Sequence, residues 1–184
     1  MPPKSKCTRE QIINAAFETV RKEGLDSLKA RRLAKELGTS TAPIFTAFNS
    51  IEEIRDEVVA KANALYGEYI KEGLKQTPAF RGVGMKYIEF ARNEPELFKI
   101  LNINKNFTDN FLPSYDDNSP EVISLLENRH GMSNKTAKKL YNHMSVYALG
   151  FAALYTERIY LFTMEDISRM MSEAYEAMKE KFEE

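Results

Sequence analysis

TREQIINAAFETVRKEGLDSLKARRLAKELGTSTAPIFTAFNSIEEIRDEV, residues 8–58, is the stretch on which the reading of the fold turns. Thr8 with Gln11 three residues later is a capping box that opens a helix. Ile12, Ile13, Ala16, Phe17 and Val20 follow at helical spacing, and Gly24 stops the run. Leu33, Ala34 and Leu37 predict a second, short helix around residues 28–37, with Gly38 as its C-terminal signal. Thr39, Ser40 and Thr41 read as turn and cap residues. Pro43 fits only a first helical turn, so it opens a third helix that ends near Phe48. Ser50 with Glu53 opens a long fourth helix running towards Gly73. Three helices inside fifty residues, with a Gly-containing turn between the second and third, make the helix-turn-helix pattern.

Working outward, the rest of the chain also reads helical. Segments 82–93 and 95–104 are divided by Pro95, and residues 106–119 (NFTDNFLPSYDDNS) form a polar, aromatic loop. Ser119 and Pro120 start a short helix to Asn128. A long helix runs from near Ser133 to Tyr160, and Thr163 caps the last one. No stretch alternates with period two, so the fold class is all-α. The expected division is a helix-turn-helix domain at residues 1–50, a linker helix at about 51–73, and a helical domain at 74–184. In the last helix Ile167, Met170, Met171, Ala174, Tyr175, Met178 and Phe182 share one stripe. The preceding helix is apolar all round from Val146 to Tyr155, with small residues at Ala148, Gly150, Ala152 and Ala153. That pattern suits a helix serving both its own core and a partner chain, or the central helix of a monomeric bundle. The expected dimer contacts are Ala148, Ala152, Tyr155, Ile167, Met170, Met171, Ala174, Tyr175 and Met178.

Charge divides the chain in the same place. Residues 1–50 hold nine basic and five acidic residues, a net of +4, and residues 51–184 hold seventeen and twenty-two, a net of −5. The formal total of −1 excludes a uniformly basic nucleic-acid coat and a polyacidic tail. A basic head on an acidic body predicts that the head meets a polyanion. The single cysteine, Cys7, excludes a disulfide framework and a multi-thiolate metal site. The longest mostly apolar run has ten residues, too few to span a bilayer, and residues 1–10 carry no signal-peptide core. The expectation is a soluble, cytoplasmic protein.

If the head meets DNA, the third helix is the reader. Thr39, Ser40, Thr41, Ala42 and Thr46 are small and polar enough to approach base edges, and Ala or Thr methyls can touch a thymine methyl. Arg31 and Arg32, early in the second helix, can reach a guanine edge or a phosphate. Lys4, Lys6 and Arg9 lead into the first helix and can meet the backbone. The turn residues are equally what any helix-turn-helix contains.

Residues 8–60 resemble the N-terminal DNA-binding domain of the TetR family of bacterial transcriptional regulators. The likeness lies in the Ile-x-x-x-Ala core of the first helix, Gly24, the Leu33-Ala34 pair, Gly38, the aromatic pair Phe45 and Phe48, and Ser50 followed by Glu52, Glu53 and Ile54. Further on, YIEFARNEPELFKIL is similar to a phrase of many ligand domains in that family. The resemblance implies a homodimer whose heads bind a near-palindromic double-stranded operator and whose bodies bind a small molecule. It also implies that the last two helices of each subunit pair across the dimer. Three positions depart from the family's pattern: Phe45 where a phosphate-bonding tyrosine is common, Ile51 where a lysine often opens helix four, and Lys29 where Thr or Ser opens helix two. Phe45 cannot donate a hydrogen bond, whereas Lys29 restores some attraction for phosphate.

For an effector, the aromatic and Met side chains of the middle helices and loop are the candidates: Tyr87, Phe90, Phe98, Phe107, Phe111, Tyr115, Met144, Tyr147 and Phe151. They suit a hydrophobic or aromatic ligand, and suit a plain core equally well. Catalysis has little to stand on. His130 and His143 form no metal-ligand pattern, and Gly82-Val83-Gly84 is too short for a dinucleotide fingerprint. No catalytic residue, metal or cofactor is assigned. Two readings remain open: a ligand-released repressor, and a dimeric ligand sensor or protein-binding adaptor with weakened operator recognition.

Overall fold

The computed structural model describes residues 7–103 and 119–183. Among them the elements are helical, with no strand: α1 (Arg9–Glu23), a 3-10 turn (Leu25–Ser27), α2 (Ala30–Glu36), α3 (Ala42–Ala47), α4 (Ile51–Leu74), α5 (Ala79–Asn93), α6 (Pro95–Phe98), a π-helical turn (Lys99–Ile103), α7 (Ser119–His130), α8 (Asn134–Thr156) and α9 (Met164–Glu183). Of the expected loop at 106–119, residues 106–118 lie outside the described residues, and Ser119 is the first residue of α7.

Two compact units emerge. The first comprises residues 1–65 with 96–104, and the second residues 66–95 with 105–184. α4 therefore belongs to both, and the chain returns from the second unit to the first at residue 96. In the first unit the capping box is formed on both sides: the Gln11 N–H donates to the Thr8 hydroxyl at 3.2 Å, and the Thr8 N–H donates to the Gln11 side-chain oxygen at 2.9 Å. Ile12, Ala16, Phe17 and Val20 then turn inward to meet Leu33, Ala34, Ile44, Phe48, Ile54 and Val58. Full burial of one such aliphatic or aromatic side chain contributes about 1.5–3 kcal/mol.

In the second unit α8 packs on α5, α7 and α9. Its buried residues Ala137, Leu140, Tyr141, Met144, Ala148, Phe151, Ala152 and Tyr155 recur at three- and four-residue spacing and form a single stripe, whereas Val146 and Gly150 on the opposite side are exposed. Within the unit α8 is covered on one face, where its apolar sequence predicts more than one. The helix stops at Thr156, four residues short of the expected end at Tyr160. Arg158 takes a left-handed conformation (φ 58°), and its N–H and that of Ile159 bond back to Tyr155 and Leu154 carbonyls. That turn leaves Ile159, Tyr160, Leu161 and Phe162 exposed. The expected segment 95–104 is likewise split, into α6 and the π-helical turn, and Leu97, Phe98, Ile100 and Leu101 are buried in the first unit.

α4 and α5 meet with almost nothing between their backbones. A Cβ added at Gly73 would come within 2.7 Å of the Val83 Cα, and one at Gly82 would run into the Gly73 carbonyl oxygen. Lys86 strengthens the same pairing through Glu72 at 2.9 Å. Gly67, also on α4, has open space where a Cβ would stand. Gly82→Ala is therefore expected to cost about 1–3 kcal/mol through overpacking. Gly67→Ala should instead add about 0.5–1 kcal/mol from helix propensity alone. Urea unfolding midpoints of the two variants check this, and shifts of the same sign would contradict it.

Candidate functional site

The turn between α2 and α3 is built on Gly38. Its φ of 63° is left-handed, a conformation glycine adopts without strain. The Gly38 N–H donates to the Lys35 carbonyl at 3.1 Å and the Thr39 N–H to the Ala34 carbonyl at 2.9 Å, the paired bonds of a Schellman turn. α3 then leaves with Pro43 in its first turn. Ile44 and Phe48 point into the core, whereas Ser40, Ala42, Phe45 and Thr46 are exposed. Thr41 occupies the N-cap position without a side-chain cap bond. Among the described residues, the hydroxyls of Thr39, Ser40 and Thr41 engage no partner, whereas that of Thr46 donates to the Ala42 carbonyl at 2.9 Å.

What holds α3 in place is a guanidinium. Arg9 on α1 donates to the Ala47 carbonyl at 3.0 Å, to Glu53 at 2.9 Å and to Glu57 at 2.6 Å, and lies 4.0 Å from the centre of the Phe48 ring. The other oxygen of Glu53 accepts from the Asn49 N–H at 2.8 Å and from its side-chain amide at 3.0 Å. One cation and one carboxylate thus tie the end of α3 to α1 and α4. The hydrogen bond to Glu57, then that to Glu53, raises the Arg9 pKa, and the Asn49 N–H followed by Arg9 holds Glu53 below the ordinary carboxylate value. Arg9 therefore makes internal bonds where the sequence offered it as a phosphate contact; Lys4 and Lys6 lie outside the described residues.

Lys29, the N-cap residue of α2, and Arg31 are exposed and have no ion-pair partner among the described residues. Arg32 is paired with Glu23 of α1. Residues 12–58, the span of this three-helix arrangement, match the family model for bacterial regulatory proteins of the tetR family. The match covers the N-terminal head, about a quarter of the chain, and makes that head similar to the family's N-terminal domain. No curated relative matches the sequence. The family match supports a DNA-binding transcriptional regulator with an N-terminal helix-turn-helix.

The second unit holds a cavity of about 340 Å³. Tyr66 and Ile70 of α4 line it, with Phe80, Arg81, Val83, Gly84 and Tyr87 of α5, Val122 of α7, Tyr141, Met144, Ser145 and Ala148 of α8, and Met171, Ser172, Tyr175 and Glu176 of α9. Of the two charged residues in this lining, Glu176 is exposed and Arg81 stands at the cavity edge on the first turn of α5. A shallower apolar depression lies along α8 and α9, lined by His143, Val146, Tyr147, Gly150, Phe151, Leu154, Met170 and Met178, with Asn142. No helix of the described residues is long and apolar enough to cross a membrane.

The residues singled out from sequence distribute unevenly over these features. Tyr87 and Met144 line the cavity. Phe90 is buried against Tyr66 and Tyr69, with ring centres 5.3 Å away in each case, and Phe98 is buried in the first unit. Tyr147 and Phe151 line the depression instead, and Phe107, Phe111 and Tyr115 lie outside the described residues. Of the expected dimer contacts, Met170 and Met178 line the depression and Ala174 is half-buried. Ala148, Met171 and Tyr175 face the cavity, and Ala152, Tyr155 and Ile167 are buried within the unit. Tyr66 and Ile70 escaped the sequence reading, although they continue the four-residue series Ile54, Val58, Ala62 along α4.

The Glu53 clamp has a pH signature. A carboxylate with a depressed folded pKa adds stability that is complete above the unfolded value and is lost as pH falls through the folded one. Glu53→Gln is expected to be less stable than the parent at neutral pH, with the gap closing as acidification protonates the Glu53 carboxylate below the ordinary carboxylate range. Thermal melts from neutral to acidic pH test the clamp, and a gap that stays constant would contradict it.

Proposed function

We propose that this chain is a homodimeric repressor that leaves a near-palindromic operator when a small apolar or aromatic effector fills the cavity of the second unit. The observation that carries the reading is the division of labour along α4. Ile54, Val58 and Ala62 belong to the core of the DNA-binding unit, and Tyr66 and Ile70 on the same helix line the cavity. A ligand that favours a different placement of Tyr66 and Ile70 bears on the helix that the head is built around. It lowers operator affinity by the difference in its affinity for the two states. Tyrosines and aliphatic groups make up most of the wall, which supports an uncharged, ring-bearing ligand.

Dimerisation is supported by the α8–α9 surface. Val146 is 53% exposed in the apolar run of α8, and Phe151 in the wall of the depression around it meets exposed Phe162 edge-on, while Tyr155 lies against exposed Tyr160. A second copy would cover this strip and set two α3 helices about 34–36 Å apart, one turn of DNA. The regulator then works in the bacterial cytoplasm, alongside the genome.

Selection from a random duplex pool, followed by fluorescence anisotropy at several salt concentrations, tests the reading; enrichment of a near-palindromic site is expected. Arg31→Ala should weaken binding to that site and reduce the salt slope by about 0.9 for each phosphate no longer neutralised, whereas Lys75→Ala should do neither. Equal small effects would remove the assigned DNA face. Val146→Glu should give monomers in sedimentation velocity and lower operator affinity. A dimer that survives this change would place the interface elsewhere.

A further inference from the structure

We propose that α3 reads thymine by methyl contact, so that the bases it meets in the operator are A·T pairs. The inference rests on the DNA-binding reading of the head and adds base identity to it. α3 has six residues, Ala42–Ala47, and none carries a charge or an amide side chain. The Arg, Lys, Asn and Gln side chains that grip guanine or adenine with two hydrogen bonds are therefore absent from the helix. Asn49, just beyond it, has its amide engaged by Glu53.

Three residues of α3 face outward. Ala42 offers a methyl, and Phe45, 50% exposed, offers an apolar ring. Thr46 would be the polar member, but its hydroxyl donates to the Ala42 carbonyl, which leaves its methyl as the uncommitted group. Only thymine presents a methyl in the major groove; guanine presents two acceptors there and cytosine an amino donor. Setting those polar edges against an apolar face strips their water without replacing it. The attraction for DNA that α3 lacks comes from Lys29 and Arg31, exposed and without ion-pair partners among the described residues. That complementarity to phosphate commits the face to duplex DNA.

Deoxyuridine isolates the methyl, because it pairs as thymine does and lacks only that group. Each thymine of the selected operator is replaced in turn, and the dissociation constant is measured for the parent and for Thr46→Ser. That variant keeps the hydroxyl and removes the methyl. For the parent, at least one replacement per half-site is expected to weaken binding about fourfold, the worth of one buried methyl. Thr46→Ser should lose the penalty at one of those positions and keep the parent's salt slope. An enriched operator that tolerates deoxyuridine everywhere, or whose α3-facing positions are G·C, would overturn the inference and leave the regulator standing. If no site is enriched, the DNA reading fails and the inference with it.

Discussion

A helix of six residues does not hold itself together in water, since nucleation costs more than one turn of hydrogen bonds returns. α3 exists because Ile44 and Phe48 are buried on one side of it and because Arg9 holds its last carbonyl. Everything the head presents to DNA follows from that anchoring. The inward pair fixes which side chains face out, and the Schellman turn at Gly38 fixes where the helix begins. Arg9 and Glu53 then fix where it ends, joining α1, α3 and α4 at one point. The reading helix is thus shaped from its ends and its back, with its outer face left to chemistry.

That outer face is unusually apolar for a surface that meets a polyanion. In the proposed reading, binding strength and base choice fall to different residues: the exposed cations Lys29 and Arg31 would draw in the phosphates, and the small apolar groups on α3 would discriminate among bases. The departures from the family's pattern belong to this division. Phe45 cannot donate to a phosphate, and Lys29 at the start of α2 adds an exposed charge to the same three-helix head. Arg32, by contrast, is drawn back to Glu23 and contributes less free charge than the sequence implies.

Most of the fold was legible in the sequence because local rules dictate it. Capping residues, Pro43, Gly24 and Gly38 act over three or four positions, and each marks a boundary within a residue or two of the observed one. The α8 end was misjudged because Val146–Tyr155 is apolar without interruption and IYLF continues that character, while the stop lies in a backbone turn at Arg158 that no Gly or Pro announces. The role of Arg9 was hidden for a different reason. Its partners, Ala47, Glu53 and Glu57, lie thirty-eight to forty-eight positions away, and a lone arginine near a basic N-terminus looks like a phosphate contact. Cavity lining was the least legible, since whether an aromatic faces a core or a void depends on how several helices meet.

The contact at Gly73 and Gly82 has a mechanical meaning. Where side chains separate two helices, a change of rotamer can absorb a shift of an ångström or so, and motion on one side fades before reaching the other. Here carbonyl and Cα meet directly, so no soft element lies between α4 and α5 at that point. The crossing behaves as a pivot rather than a cushion: the two helices can tilt about it but cannot slide through it. A displacement of α5 at that point therefore reaches α4 as rotation, undiminished by side-chain slack.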